Sequence, residues 1–422
     1  MKFNFAVGLI AFSLSTALFG CAEPRPVVNT ASTSSSKVAA PAPANEALAR
    51  RVDAVLDAAV AEGRIVGSVT IVAKDGVIVY RRAAGFADRE GHVPMREDTP
   101  FRLASATKPI VTATVLALVD RGALNLDDPV TKYLPSFRPH LADGRVPVIT
   151  VRQLVTHTSG LNYGFFEPKG EGPYHRERVS DGLDQPGLSI EENLARLGRA
   201  PLLFEPGTKW NYSLGIDVLG AVIAKAGGAP LPDVVARLVT GPLGMDASFS
   251  PPADHARLAV PYADGNPRAT RMADPQPVSL FDGIVTFSPS RVFDARSYAS
   301  GGAGMVGTAD AYIKFLEAVR TGASTMLRPA SAASMTTNQV GNLEALQSGG
   351  KWGFSYGFAV LKTPDAGNPA HPGTLQWGGA WGHNYYIDPA EKLSVVVLTN
   401  TAFAGMIGAF PDAMRNAVYG TK

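Results

Sequence analysis

Apolar positions recur along this chain with two different periods, and each period predicts a different kind of element. At 45–64 and again at 105–122 they return every three or four residues, which is typical of helices with a buried face. At 67–81 and at 384–399, two short apolar runs flank a group of turn-forming residues, so each region predicts a β-hairpin. A further helix is predicted from about 403 to 419.

The order of these elements predicts the architecture. Strands near both ends, with mainly helical patterns between them, indicate one antiparallel sheet assembled from both termini and an inserted, mainly helical domain, a fold of the α/β (α+β) class. The first helix, the last helix and the helix at 105–122 are expected to cover the sheet. Two stretches rich in glycine, proline and charge, 162–187 and 261–297, are predicted to be long loops, and the first is expected to form one wall of a cleft.

The N-terminal region differs from the rest in composition. A lysine followed by an apolar run makes residues 1–20 similar to a signal peptide, and the run ends at Cys21. Residues 21–44 are almost all Ala, Pro, Ser, Thr and Val, which predicts a linker, and the folded domain is expected to span 45–420. Because the end of the run resembles the lipobox of bacterial lipoproteins, Cys21 is expected to be acylated and to anchor the protein in the cell envelope, at the outer membrane and facing the periplasm. An uncleaved anchor and an ordinary secretory peptide are the alternatives.

Charge and cysteine content exclude several classes of protein. The 422 residues carry a formal net charge of +2, which gives no basis for binding nucleic acid. A single cysteine excludes a disulfide within the chain. After residue 20 no run approaches the ~18 apolar residues of a membrane span, so no second span is expected. No obligate protein partner is predicted.

Ser105 and Lys108 form the most informative short motif, Ser-Ala-Thr-Lys. The periodicity that follows places Ser105 at a helix N-terminus, where backbone N–H groups and the helix dipole favour developing negative charge. Lys108 lies three residues further on the same face, within reach of the Ser105 hydroxyl. Since serine becomes a good nucleophile only when a neighbouring base accepts its proton, the pair is a candidate for nucleophilic catalysis. A chance Ser-x-x-Lys on an exposed helix is the alternative.

Two further segments supply what an acyl-transfer site needs besides a nucleophile, namely proton-transfer groups and donors for an oxyanion. Tyr212 offers a phenol that can pass a proton to a leaving alkoxide, although most buried tyrosines have structural hydrogen bonds instead. Trp377, Gly378 and Gly379 precede the last hairpin, and the glycines permit a backbone edge to approach a ligand closely. A backbone N–H there can point toward an oxyanion.

Taken in chain order, these motifs resemble the serine β-lactamase and penicillin-binding superfamily, and most closely the family VIII carboxylesterases of class C β-lactamase type. The similarity extends over about residues 48–418. It is carried by the segments 101–110, 154–161, 212–214, 301–305, 336–339 and 377–379, the last at the position where β-lactamases have Lys-Thr-Gly.

The resemblance implies a role for each candidate residue. Ser105 would be the nucleophile, Lys108 its activating partner and Tyr212 the general acid or base, and either of the last two could accept the first proton. The backbone N–H groups of Ser105 and Ala380 would form the oxyanion hole. Contacts to the substrate would come from Trp377, Gly378 and Gly379. The reaction would pass through an acyl-enzyme without metal or cofactor, so 45–420 is expected to be a β-lactamase-related serine hydrolase domain.

Two departures from the β-lactamase pattern decide the expected substrate class. Leu214 stands where those enzymes have an asparagine for an acylamino side chain, and Trp377 stands where they have a lysine for the antibiotic's carboxylate. An anion left unpaired in an apolar cleft is costly, and esters of short acyl chains bring none. We therefore expect a carboxylesterase for small ester substrates, with at most a weak β-lactamase side activity. A β-lactamase or D-amino-acid peptidase acting on lactam or amide bonds, and a catalytically silent cell-wall-binding homologue, are the alternatives.

Ser355 and three histidines are candidates that we expect to have no catalytic role. Residues 353–357 match Gly-x-Ser-x-Gly, but a strand is predicted after Ser355 where a nucleophile elbow requires a helix. His157 is expected to be a loop residue satisfied by backbone contacts. His383 could line the cleft, and His371 lies in a sequence similar to His-x-Gly in which proline follows the histidine.

Overall fold

The computed structural model describes residues 43–168, 171–322 and 325–421. The first helix begins at Pro43, ahead of the predicted start of the folded domain at 45. Cys21, the predicted signal peptide and the predicted linker up to residue 42 lie outside the described residues.

Helices and strands alternate along these described ranges. The helices are α1 (Pro43–Ala61), α2 (Thr107–Asp120), α3 (Val151–Val155), α4 (Pro173–Arg176), α5 (Ile190–Arg199), α6 (Gly215–Gly227), α7 (Leu231–Val235), α8 (Ala309–Thr321), α9 (Pro329–Thr336) and α10 (Ala409–Tyr419). The strands are β1 (Gly67–Lys74), β2 (Val77–Asp88), β3 (Val93–Pro94), β4 (Phe101–Arg102), β5 (Ala247–Ser248), β6 (Tyr262–Ala263), β7 (Thr270–Arg271), β8 (Gln276–Leu280), β9 (Gly283–Phe287), β10 (Val306–Gly307), β11 (Trp352–Phe354), β12 (Ala359–Leu361), β13 (Leu375–Gly379), β14 (His383–Asp388), β15 (Leu393–Thr399) and β16 (Thr401–Ala402).

One eight-stranded antiparallel sheet contains strands from both ends of the chain, in the order β11-β12-β13-β14-β15-β1-β2-β3. β15 pairs with β1, and Thr70 lies opposite Val397. Both predicted hairpins are present, and the turn between β1 and β2 has positive φ angles of 50° at Asp75 and 82° at Gly76, as Asp-Gly turns favour. The predicted antiparallel sheet from both termini, interrupted by a mainly helical insertion, is confirmed.

The central strands are buried on both faces because their side chains alternate between two cores. Along β15, Val395 and Val397 pack with residues of α1 and α10, whereas Val396 and Leu398 belong to the larger core on the opposite face. The predicted covering by the first and last helices is therefore confirmed. On the second face α8 packs on β1 and β15, in the place predicted for α2. α2 instead lies against α6 and is buried along nearly its whole length, which makes it a central helix of the insertion.

Two element boundaries differ from the prediction. α10 begins at Ala409 rather than near 403, because Gly408 has a φ of 89° that a helix cannot contain. β2 continues to Asp88 rather than ending near 81, so the first hairpin is longer on its second strand.

The two predicted loops contain short regular elements. Within 261–297 lie β6, β7 and the hairpin β8–β9, so the prediction of a loop there was wrong. Val278 and Val285 of this hairpin are buried opposite each other, which is the alternation expected of strands. Within 162–187 lie α4 and a 3-10 turn at Gly164–Phe166.

No single helix in the described part of the chain has the length and hydropathy to cross a membrane. α6 and the segment Leu231–Thr240 reach that length together, but they meet at an angle of 76°. Most of their side chains are buried in the core beside α2, which accounts for their apolar character.

Candidate active site

Ser105 lies in a short turn that is held in place by a hydrogen bond from α8. Ala104–Ala106 form a 3-10 turn directly before α2, and Ala104 has a positive φ of 45°, which is unfavourable for a residue with a side chain. The Tyr312 hydroxyl of α8 donates a hydrogen bond of 3.0 Å to the carbonyl of Ala106. Ser105 therefore stands at the N-terminal end of α2, as the helical periodicity predicted.

The structure brings Ser105, Lys108 and Tyr212 together, although the tyrosine is distant in sequence. Ser105 Oγ accepts hydrogen bonds from Lys108 Nζ at 3.1 Å and from the Tyr212 hydroxyl at 2.7 Å. Lys108 is only 2% exposed, and its Nζ lies 4.8 Å from the centre of the Tyr212 ring. One hydroxyl is thus in hydrogen-bond contact with two groups that are able to exchange protons with it.

Two residues that had no predicted role complete the surroundings of Lys108. The Gly302 carbonyl accepts a second hydrogen bond from Lys108 Nζ at 2.8 Å. Asp217 of α6 is buried nearby, where Ser300 donates to its Oδ1 at 2.5 Å and burial raises the pKa of its carboxyl. A Cβ on Gly302 would lie 2.3 Å from Asp217 Oδ2, so a glycine is needed there. The segment 301–305 contributed to the family resemblance, which is the signal for Gly302, whereas no pattern indicates Asp217.

The end of β13 forms the opposite side of the site. Trp377 Nε1 donates to the Tyr212 hydroxyl at 3.4 Å, and the two rings are 5.0 Å apart. A Cβ on Gly379 would lie 2.5 Å from the carbonyl of Leu103, so glycine allows β13 to approach the turn that carries the nucleophile. Ala380 follows β13 directly, and its role as an oxyanion donor stays a prediction.

A cavity of about 820 Å³ opens over Ser105. Its size lies within the range of small-molecule sites, which are usually mainly apolar with a few polar groups. The predicted site residues on its surface are Ser105, Tyr212, Trp377, Gly378 and Ala380. Lys108 is buried behind this surface, where water has little access to it.

Both regions predicted as loops contribute walls to this cavity. Tyr163, Phe165 and Phe166 come from 162–187, so the expectation that this stretch forms a wall is confirmed. The hairpin β8–β9 and its turn contribute a second group of mainly apolar side chains: Leu280, Phe281, Asp282, Gly283 and Val285.

Polar side chains at the outer part of the cavity come from elements that no motif connects. Gln376 of β13, Asn384 of β14 and Arg415 of α10 line it, and Arg415 donates to Gln376 Oε1 at 3.2 Å and to Asp412 Oδ1 at 3.4 Å. Leu214 is buried in the core. The cavity thus has amide groups and a cation, although positions 214 and 377, where β-lactamases have an asparagine and a lysine, carry neither. The sequence did not indicate these groups because β13, β14 and α10 come together only in the folded chain.

His157 is buried directly under Tyr212. Its Nδ1 accepts a hydrogen bond of 3.2 Å from the backbone N–H of Ser213, which confirms the expectation of a loop residue satisfied by backbone contacts. The two rings are 4.9 Å apart. Burial, together with the neighbouring Lys108, lowers the pKa of His157 well below its usual range, so the imidazole is neutral and supports the tyrosine by packing.

The remaining candidates do not line the cavity. His383 is fully buried, its Nε2 is 2.7 Å from the Arg102 carbonyl, and burial lowers its pKa to about 4. His371 pairs with Asp388, which raises its pKa. Ser355 is buried, and its hydroxyl donates to a backbone carbonyl at 3.2 Å. Across the described ranges, no group of three or more His, Cys, Asp or Glu residues is arranged to hold a metal ion.

Comparisons with known proteins identify the family and the fold. A family model described as Beta-lactamase matches residues 52–412. Esterase EstB of Burkholderia gladioli is 52% identical over 376 residues, which cover 88% of this chain and 95% of that protein. The solved structure of EstCE1, described as a hydrolase with promiscuous acyltransferase activity, has a TM-score of 0.86 and 45% identity and covers 89% of this chain and 100% of that one. A simvastatin synthase from Aspergillus terreus, at 24% identity and a TM-score of 0.68, shares the fold; the match covers 89% of this chain and 97% of that one.

Proposed function

Since the chain belongs to the Beta-lactamase family, we propose that it is a carboxylesterase-type serine hydrolase that cleaves esters through an acyl-enzyme on Ser105. The observation that carries this proposal is the contact of Ser105 Oγ with both Lys108 Nζ and the Tyr212 hydroxyl at the floor of a largely apolar cavity. The identity to an esterase over nearly the whole length of both chains supports the same reaction.

Acylation begins when Ser105 Oγ attacks the ester carbonyl and its proton passes to Lys108 or Tyr212. The carbonyl oxygen becomes an oxyanion, for which the backbone N–H groups of Ser105 and Ala380 are the proposed donors. Tyr212 then donates a proton to the alkoxide, the C–O bond breaks, and the alcohol leaves. The products of this half-reaction are the acyl-enzyme and the free alcohol.

Deacylation repeats these steps with water in place of serine. Water attacks the acyl carbonyl, its proton is accepted by the same Lys108 and Tyr212 pair, and Ser105 leaves with a proton to restore the resting site. The Gly302 carbonyl holds Lys108 Nζ in place throughout, because it bonds the lysine independently of the serine.

Esters of short acyl chains are the proposed substrates, and lactam hydrolysis is expected to be weak. The indole of Trp377 occupies the place of the lysine that meets the antibiotic carboxylate, and it donates to Tyr212 rather than to a ligand. The guanidinium of Arg415 is already bonded to Asp412 and Gln376. A substrate anion would therefore compete with existing partners, whereas a neutral ester would not.

Rates with p-nitrophenyl butyrate and with nitrocefin, measured on the wild type, test this proposal. We expect efficient turnover of the ester and slow turnover of nitrocefin. A Ser105→Ala variant should lose ester hydrolysis while remaining folded, and a Ser355→Ala variant should keep it, because Ser355 only bonds a backbone carbonyl. Efficient cleavage of nitrocefin without cleavage of the ester would overturn the assignment.

We further propose that the protein is an exported lipoprotein, anchored at the outer membrane through Cys21 and facing the periplasm. The apolar run that ends at Cys21 and the Ala, Pro, Ser and Thr residues that follow it support this proposal. Mass spectrometry of the mature N-terminus should find an acylated Cys21, and a Cys21→Ser variant should leave the membrane fraction. An unmodified N-terminus beyond residue 21 would contradict it.

A further inference from the structure

Phe281 combines two features that are unfavourable in a free protein. Only Phe281 and Asp282 connect β8 to β9, because Leu280 pairs with Gly283. Phe281 has a φ of 53°, although such turns normally place glycine, asparagine or aspartate at positions of positive φ. Its side chain is also 79% exposed. The strained turn thus holds an exposed aromatic ring at the edge of the cavity, where the ring can contact a bound ligand.

The hairpin that carries Phe281 is seated directly on the neighbouring wall of the cavity. A Cβ on Gly283 would lie 1.8 Å from the Phe165 carbonyl oxygen, so only glycine allows this contact. The same wall contains Phe166, which is 39% exposed and also lines the cavity. The hairpin that carries Phe281 is therefore packed against the 3-10 turn at Gly164–Phe166.

A series of aromatic rings extends from the proton-transfer group to the 3-10 turn on which this hairpin is seated. The ring of Tyr212 lies 5.1 Å from that of Tyr163, which is stacked on Phe165 at 4.4 Å. The ring of Phe165 lies 4.8 Å from that of Phe166. These rings and Phe281, which we call the aromatic wall, extend from Tyr212 to the mouth of the cavity.

The aromatic wall begins at the residue that donates the proton to the leaving alkoxide. Tyr212 delivers a proton to the alkoxide oxygen, so that oxygen must come within hydrogen-bond distance of the Tyr212 hydroxyl. The alcohol portion of the ester extends from this oxygen, and the aromatic wall begins at the same tyrosine. Binding of an apolar alcohol is favoured because it removes exposed aromatic surface from water.

Resting on the proposed esterase function, we propose that the aromatic wall binds the alcohol portion of the substrate, and that the preferred substrates are short-chain esters of bulky apolar or aromatic alcohols. Phe281 covers the outer end of that alcohol. The acyl group, which stays on Ser105 after the alcohol leaves, does not contact Phe281.

Esters that share one half of the molecule test this assignment. For 2-naphthyl acetate and ethyl acetate, kcat/KM reports acylation with different alcohols, and the two form the same acyl-enzyme. Ethyl hexanoate keeps the small alcohol and lengthens the acyl chain. We expect Phe281→Gly to lower kcat/KM for 2-naphthyl acetate by about tenfold and to leave both ethyl esters within about twofold. Phe281→Tyr keeps the ring and should retain most of the wild-type value.

Stability and a matched variant separate this effect from a general disturbance. Glycine accepts a positive φ without strain, so Phe281→Gly should unfold at a temperature equal to or near that of the wild type. Val148 is an apolar residue that is 68% exposed and does not line the cavity, so Val148→Gly should leave the rates on all three esters unchanged.

Three results would overturn the proposal. The first is an equal loss on all three esters, and the second is no loss on 2-naphthyl acetate. The third is a selective loss on ethyl hexanoate, which would place the acyl chain on the aromatic wall. Absence of hydrolysis of all three esters by the wild type would instead refute the esterase function itself, so the two failures are distinguishable.

Discussion

Tyr212 is the residue on which the most contacts of the site converge. Its hydroxyl donates to Ser105 Oγ and accepts from Trp377 Nε1, and its ring packs on His157 and Tyr163. The hydroxyl is therefore held in one place by groups on several different segments. Such preorganisation is what a proton shuttle between a nucleophile and a leaving group requires.

Removing the hydroxyl while keeping the ring tests this role. A Tyr212→Phe variant should lower kcat/KM for p-nitrophenyl butyrate by about 10²- to 10⁴-fold, the usual contribution of a general acid or base. The ring contacts with His157 and Tyr163 remain, so the thermal unfolding midpoint should change little. A loss of less than tenfold would show that Lys108 alone transfers the protons.

His157 makes the stability of the folded protein depend on pH. Burial and Lys108 lower the pKa of His157 in the folded protein, whereas in the unfolded chain its pKa is about 6.5. Below that pH the unfolded chain therefore binds more protons than the folded protein. The contribution of His157 is complete above that pH and is lost as the pH falls toward the folded pKa. The free energy of unfolding is measured by guanidinium titration at pH 7 and at pH 5.5, for the wild type and for a His157→Gln variant. We expect it to fall between these pH values by less in the variant than in the wild type, and the difference between the two proteins should be at most about 1.4 kcal/mol per pH unit. Equal falls in the two proteins would contradict a neutral, buried imidazole.

An added methyl group should have opposite effects at two glycines, Gly302 beside Lys108 and Gly198 in α5. A Cβ on Gly302 would lie 2.3 Å from Asp217 Oδ2 and would displace the carbonyl that holds Lys108. Gly302→Ala should therefore lower kcat/KM by about 100-fold, as misplacement by an ångström can. Gly198, in α5, has open space at the same position, so Gly198→Ala should raise the free energy of unfolding by about 0.5–1 kcal/mol and leave kcat/KM unchanged.

Equal activity of the two alanine variants in an ester assay would contradict this account of Gly302. Circular dichroism and thermal unfolding of Gly302→Ala serve as the control, because the prediction concerns the position of Lys108 and requires a folded protein.

Elements whose apolar positions recur with a clear period could be predicted from the sequence. Elements in which proline, glycine and charged residues interrupt that period could not. The hairpins at both ends and the helix after Ser105 have clear alternation or helical spacing, and they are present. The hairpin β8–β9 was missed because proline, glycine and charge dominate 261–297. Its own signal, alternating Val278 and Leu280 before Asp282 and Gly283, is short and carries an unusual phenylalanine in the turn.

In the molecule as a whole, the site is formed by segments that are far apart in the sequence. The Ser-x-x-Lys pair lies on one helix and could be predicted, and its partners Tyr212 and Trp377 were found through the order of motifs. Asp217 and Arg415 could not be found, because a buried acid beside Lys108 and a cation at the cavity mouth depend on how α6 and α10 pack. No local spacing encodes those contacts.

The residues from Pro43 onward contain every part of the proposed site, which gives a prediction for a shortened protein. A variant that begins at residue 42 should hydrolyse p-nitrophenyl butyrate with a kcat/KM within about twofold of the full chain, because α1, which closes one core against α10, is retained. A large loss of activity in a folded shortened protein would show that the preceding residues take part in the site.

Ser105 alone is proposed to form the covalent intermediate, and labelling with a p-nitrophenyl phosphonate tests this most directly. We expect one adduct per chain by intact-protein mass spectrometry, on the peptide that contains Ser105, formed in step with the loss of esterase activity. The label should be absent from Ser105→Ala and unchanged in Ser355→Ala. An adduct on another serine that accompanies the loss of activity would exclude Ser105 as the nucleophile.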